Sequence, residues 1–142
     1  MTTGSGNRPQ WVQDHIRRYL ESNGEDGHEW RGVTTLLLTT KGRKSGESTT
    51  TPLIYGRSGE RYLVVASRGG AAHHPQWYLN LSETPDVQVQ VEGERFAARA
   101  RTATAEEKPA LWAIMAGIWP AYDEYQTKTS RVIPVVVLDR VP

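Results

Sequence analysis

Three short stretches of this 142-residue chain carry side chains able to hold or transform a ligand. The first is "KGRKSG", where Lys41, Arg43 and Lys44 fall within four positions, Ser45 follows, and Gly42 and Gly46 bracket the cations. Glycine lets a backbone approach a ligand closely. Amides, cations and a hydroxyl together bind phosphate or carboxylate. Alone, such a turn is more often solvated surface. The second stretch is "ASRGGAAHHPQWYLNL", which joins the end of a strand, a glycine pair and the start of an aromatic helix. A helix start leaves N–H groups without partners, and loops at strand ends commonly line ligands. The third is "IWPAYDEY", with Trp119, Tyr122 and Tyr125 around a proline that ends a helix. Amphipathic aromatics can pack a flat ring and offer phenol hydroxyls. Core packing is the plainer reading of both aromatic stretches. Together the three suit a large, planar, phosphorylated cofactor.

Other chemistries lack their residues. No Walker A pattern and no G-x-G-x-x-G between strand and helix occurs, which disfavours an ATPase or a Rossmann oxidoreductase. His73 and His74 are adjacent and His15 and His28 lie far off, so no metal site is expected. Neither a Ser-His-Asp arrangement nor paired carboxylates stand out. The absence of cysteine excludes disulfides and thiolate chemistry and fits a reducing cytoplasm. A net charge of +1 makes the basic cluster a local feature only. No apolar run is long enough for a membrane span, and the N-terminus lacks a signal-peptide core.

The positioning elements follow from periodicity. Val12, Ile16, Tyr19 and Leu20 lie at i, i+4, i+7 and i+8 between Pro9 and Gly24, which predicts an amphipathic helix, then a polar loop "NGEDGHEWRG". Its stripe packs on the domain in the simplest reading. The alternatives are a lid over a site, or a peripheral membrane contact beside Arg17 and Arg18. Six strands follow: "VTTLLLTT", "STTTPLIY", "RYLVVAS", "VQVQV" with its glutamines toward water, "RFAARARTA" and "RVIPVVVLD". Pro134 should place part of the last on an edge or at a bulge. "HPQWYLNL" predicts a short helix opened by Pro75. "TAEEKPALWAIMAGIW" predicts a longer one with a Thr104/Glu107 capping box and an irregular start at Pro109. The result is one domain: an N-terminal helix and loop over 1–32, then a small, mostly antiparallel barrel over 33–142 with flanking helices.

In order and spacing, "LLLTTKGRKSGESTTTPLIY", "VVASRGGAAHHPQWYLNLSETPDVQVQV" and "WPAYDEYQTKTSRVIPVVVL" resemble the deazaflavin-dependent nitroreductase family of actinobacteria. These are split β-barrel (FMN-binding-like, α+β) reductases that use coenzyme F420. The resemblance covers about Val33 to Leu138. It implies that Lys41, Arg43, Lys44 and Ser45 hold the cofactor's phosphate and oligoglutamate tail. Thr49, Thr50, Thr51, Pro52, Leu53 and Ile54 would run beside tail and ring. Val65, Ala66, Ser67 and Arg68 would line the deazaflavin through their backbone, with Gln76, Trp77, Tyr78, Leu79 and Asn80 beyond. Tyr122 would lie at ring and substrate, with Tyr125 as a second catalytic candidate and Trp119 completing the substrate wall. The chain departs at Thr49, where relatives can carry arginine, at Thr51, where they have asparagine, and at Trp119, where they have tyrosine.

The resemblance implies an oxidoreductase that transfers hydride from reduced F420 (F420H2) to a small electron-poor acceptor: a quinone, an activated C=C bond or a nitro compound. The alternatives are an FMN-dependent reductase on the same fold and a non-catalytic F420 carrier. Nucleic-acid binding is not expected, since Tyr55, Tyr62 and Phe96 are the only strand aromatics. A cytoplasmic protein, with or without membrane contact, is expected as monomer or homodimer.

Overall fold

The computed structural model describes residues 9–142. The first helix, α1 (Gln10–Glu21), starts after Pro9 and ends at Ser22. Asn23 and Gly24 then take positive φ, and the Gly24 amide reaches back to the Tyr19 carbonyl at 2.7 Å. Gly24 does more than end the helix. A Cβ there would come within 2.2 Å of the Glu92 backbone, so only glycine lets this turn press against the distant hairpin.

Eight strands follow, all paired antiparallel: β1 (Glu29–Trp30), β2 (Val33–Lys41), β3 (Ser48–Ile54), β4 (Gly56–Ser58), β5 (Arg61–Val65), β6 (Asp86–Val91), β7 (Glu94–Thr102) and β8 (Val135–Arg140). Their order is β1-β2-β6-β7-β8-β5-β4, with β3 also on β2. This curled sheet is the expected split barrel. The two strands beyond the expected six are only two and three residues long. Pro52 sits in β3, which pairs with β2 alone among the described residues, so the missing N–H breaks no ladder on its outer side. β8 departs from expectation. It begins at Val135, after Pro134, and lies centrally between β7 and β5. The proline is therefore a strand opener, neither edge nor bulge.

The core has two layers because the central strands are covered on both faces. On β8, Val136 and Leu138 enter the barrel interior with Leu36, Leu38, Val64, Val89 and Phe96. Val135 and Val137 face the opposite way, onto Leu111, Met115 and Tyr122. That explains the unbroken run "VVVL", since a strand buried on both sides has no polar alternation. "VQVQV" behaves differently. Val87, Val89 and Val91 are buried as expected, and Gln90 is buried too, contrary to expectation. Its amide donates to the Glu92 carbonyl at 2.9 Å and its oxygen accepts from Arg95 Nε at 3.0 Å, so burial costs it no hydrogen bond.

Helix α2 (Gln76–Glu83) opens at Pro75 as expected, and α3 (Lys108–Ile118) has Pro109 in its first turn. The Thr104/Glu107 capping box forms in both directions, at 3.2 Å and 2.9 Å. One helix went unread. Pro120 caps a short α4 (Ala121–Thr127), so Tyr122 and Tyr125 lie on a second helix while Trp119 caps the end of α3. Pro120 ends one helix and starts the next, because proline fits a first turn where its missing N–H has no partner.

The helix α1 lies against the outer face of β2 through Ile16, Tyr19 and Leu37. The Tyr19 hydroxyl donates to the Thr35 carbonyl at 3.0 Å and accepts from the Glu92 amide at 2.8 Å. Burial pushes its pKa up to about 12. These contacts pack the helix on the domain.

Candidate active site

A cavity of about 560 Å³ opens between β3, the end of β5, the start of α2 and helix α4. Of the site residues expected from the sequence, it brings together Thr51, Pro52, Leu53, Ile54, Val65, Ser67, Arg68, Trp77, Trp119, Tyr122 and Tyr125. Most of its surface is apolar side chain. Its lining also includes Gly69, which offers only backbone groups, beside Ser67 and Arg68.

Those backbone groups belong to the turn after β5. Ser67 is in the right-handed helical region (φ −83, ψ −38), and Arg68, Gly69 and Gly70 all have positive φ, at 46, 62 and 83. A right-handed residue followed by left-handed ones gathers successive N–H groups on one side of the chain. The amides of Gly70 and Ala71 bond to the Ser67 and Arg68 carbonyls at 2.9 Å and 3.1 Å. Those of Ser67, Arg68 and Gly69 have no acceptor among the described residues, and all three residues line the cavity. This is a concave row of donors suited to an anionic or carbonyl oxygen.

The opposite wall is aromatic. Trp30 stacks on Trp11 at 6.0 Å and lies 5.8 Å from Trp119. Trp119 Nε1 donates to the Tyr125 hydroxyl at 3.4 Å, and the Tyr125 ring meets Tyr122 edge-on at 6.0 Å. Tyr122 is buried, and its hydroxyl has no hydrogen-bond partner among the described residues. Burial raises its pKa well above the ordinary phenol value, with a small addition from Tyr125. The phenol is therefore a neutral hydrogen-bond donor across the physiological range.

The basic turn is not in the cavity. Lys44 and Ser45 are exposed, and the turn is closed by Gly42 N to Glu47 O and Gly46 N to Gly42 O, both at 2.8 Å. Arg43 is tied down: its amide and its Nη1 both donate to Asn80 Oδ1, at 3.2 Å and 3.0 Å. Asn80 is buried and spends its Nδ2 on Thr40 at 3.2 Å. Its amide thus docks the turn onto α2. The turn sits at the Ser48 end of β3 and the cavity begins at Thr51, about 10 Å along the strand at the usual rise.

Several expected residues take other places. Thr50 pairs with Thr39 at 2.8 Å and lines a smaller cavity of about 330 Å³. Thr49 is half-buried in β3 beside the turn. Ala66 is fully buried beneath the donor row. Tyr78 bonds Thr102 at 2.7 Å, Gln76 is exposed, and Leu79 is half-buried. The sequence offered the N-terminal helix as a lid but named none of the residues that line the main cavity from this side: Trp11, Val12, His15 and Trp30. The available signal was Trp30 itself, a large aromatic inside an otherwise polar loop.

Among the described residues no cluster of potential metal ligands occurs, and no helix is long and apolar enough to cross a membrane. Residues 11–140 match the family described as F420H(2)-dependent quinone reductase. The chain is similar to an F420H(2)-dependent quinone reductase of Mycobacterium tuberculosis, at 41% identity over 135 residues, 92% of this chain and 91% of the relative. Among solved structures it resembles a domain-swapped dimer, with a TM-score of 0.72 and 37% identity over 92% of this chain and 98% of that one. It also resembles an F420-H2 dependent reductase, with a TM-score of 0.69 and 39% identity over 74% of this chain and 93% of that one. With the match running through almost every element that walls the cavity, this chain belongs to the F420H(2)-dependent quinone reductase family.

Proposed function

We propose that this chain is a reductase that uses reduced coenzyme F420 to reduce a quinone-type acceptor by hydride transfer. The observation that carries the reading is one arrangement: a donor row at Ser67–Gly69, an aromatic wall facing it, and a cationic turn about 10 Å away along β3. That spacing fits an elongated molecule with a flat, carbonyl-bearing ring at one end and an acidic tail at the other. Bound there, F420H2 supplies the hydride. The Ser67, Arg68 and Gly69 amides hold ring oxygens, and Lys41, Lys44, Ser45 and the free nitrogens of Arg43 take the phosphate and tail. Trp119, Tyr122 and Tyr125 wall the acceptor side. Tyr122 keeps its proton and donates a hydrogen bond to an acceptor oxygen as negative charge builds there.

The N-terminal helix acts as a wall of the cavity through the Trp11–Trp30–Trp119 stack. Its cations are compensated, Arg17 by Asp14 and Glu21 and Arg18 by Asp26, which argues for a lid over an anionic lipid anchor.

The test is a fluorescence titration of the purified protein with F420 and with FMN, followed by a quinone added to the protein with F420H2. Tighter binding of F420 and quinone-dependent oxidation of F420H2 are expected. Preference for FMN, or F420 binding without turnover of any quinone, would overturn the reading.

A further inference from the structure

One residue outside the cavity lining makes several hydrogen bonds to the turn that carries the donor row. Arg131 lies in the segment between α4 and β8, half-buried. Its Nε donates to the Ala71 carbonyl at 2.8 Å and its Nη2 to the Ser67 carbonyl at 2.7 Å. Its Nη1 donates to the Ala66 carbonyl at 3.2 Å and to His74 Nδ1 at 3.0 Å. One planar fork thus gathers three carbonyls and an imidazole from residues 66–74. Among the described residues no carboxylate pairs with it, so backbone oxygens are its compensation for burial.

Arg131 is itself held. Gln126 of α4 donates to the Arg131 carbonyl at 2.8 Å and accepts from the Ile133 amide at 2.9 Å. The helix that carries Tyr122 and Tyr125 is therefore joined through Gln126 and Arg131 to the donor row. A peptide unit has its C=O and N–H on opposite sides. Drawing the Ala66 carbonyl onto the guanidinium turns the Ser67 amide away from it, and drawing the Ser67 carbonyl does the same for the Arg68 amide.

We propose that Arg131 is a positioning residue, whose guanidinium fork draws in the Ala66, Ser67 and Ala71 carbonyls and so presents the Ser67 and Arg68 amides to the cavity. The role in cofactor binding rests on the function proposed above; the role in shaping the turn does not. Lysine at this position would keep a cation but offer donors from one nitrogen only, so it cannot span three carbonyls.

The experiment uses Arg131→Gln and Arg131→Lys in the full chain, measured well below each melting transition. Hydrogen exchange in cofactor-free protein should speed up at the Gly70 and Ala71 amides, whose acceptors sit in this turn. Affinity for oxidised F420 should fall about tenfold or more, as for loss of one or two charge-assisted contacts. A residue that only adds stability would lower the melting temperature and leave the affinity of the folded protein within about twofold of wild type; that result, or unchanged exchange at both amides, overturns the proposal. If Arg131→Gln does not fold, Arg131→Lys decides by the same criteria. Wild-type protein that fails to bind F420 would refute the proposed function, while the exchange data would still decide the part Arg131 plays in the turn.

Discussion

Gly70 lies so close beneath Tyr125 that a Cβ on it would come within 2.7 Å of the Tyr125 carbonyl oxygen. Gly70 also has a φ of +83, a conformation that costs other residues about 1–2 kcal/mol. Gly70→Ala therefore combines strain with a backbone clash and must displace α4, which carries Tyr122 and Tyr125. A fall in stability of about 2 kcal/mol or more is expected, together with lost activity. Chemical denaturation checks the first part, and an unchanged midpoint would mean that α4 is free to shift.

Tyr122→Phe tests the hydroxyl while keeping the ring. Because the phenol holds its proton, its contribution is a hydrogen bond to a developing oxyanion. Its loss should lower the rate by roughly 10²-fold. Cofactor affinity should not change. Single-turnover oxidation of F420H2 by a quinone is the measurement, and a rate within about twofold would leave Tyr122 a wall residue.

Lys44 is exposed and has no ion-pair partner among the described residues. Lys44→Glu should change stability by less than about 0.5 kcal/mol, as surface substitutions do. It should weaken F420 binding, and the difference from wild type should shrink as salt rises. A titration across a salt series, read beside the melting temperature, checks both. Equal affinities at low salt would make the turn mere surface.

His74 supplies a pH dependence. Burial, and then the Arg131 charge, hold its pKa below the ordinary histidine value of 6.5. Protons therefore bind the unfolded chain more readily than the native one. This contribution to stability is complete above pH 6.5, and it is lost as pH falls from there through the lowered native value. His74→Asn should flatten that limb of the stability curve. Denaturant midpoints across this window, compared for the two proteins, are the check, and parallel curves would contradict it.

Much of this molecule was legible in one dimension because its signals are local. The Thr104/Glu107 capping box, Pro75 before α2 and the glycine-bracketed turn each depend on residues a few positions apart, and all took the expected local form. The resemblance in ordered motifs carried the cofactor and the fold.

What only the tertiary structure decided depends on contacts between residues far apart in the chain. Trp30 reads as a stray aromatic until β1 pairs with β2 and sets it between Trp11 and Trp119. Gln90 reads as a solvent-facing residue until Arg95 and the Glu92 carbonyl satisfy it. Arg43 reads as a free cation until Asn80, thirty-seven residues on, takes one of its nitrogens. Arg131 reads as the polar start of a strand until the chain brings it against carbonyls some sixty residues earlier. Hydrogen bonds of this kind leave no period and no motif, because their acceptors are backbone oxygens that every residue carries. The residue types at the site were therefore written in the sequence, but which of them share a cavity, and which merely hold its walls, came from the fold.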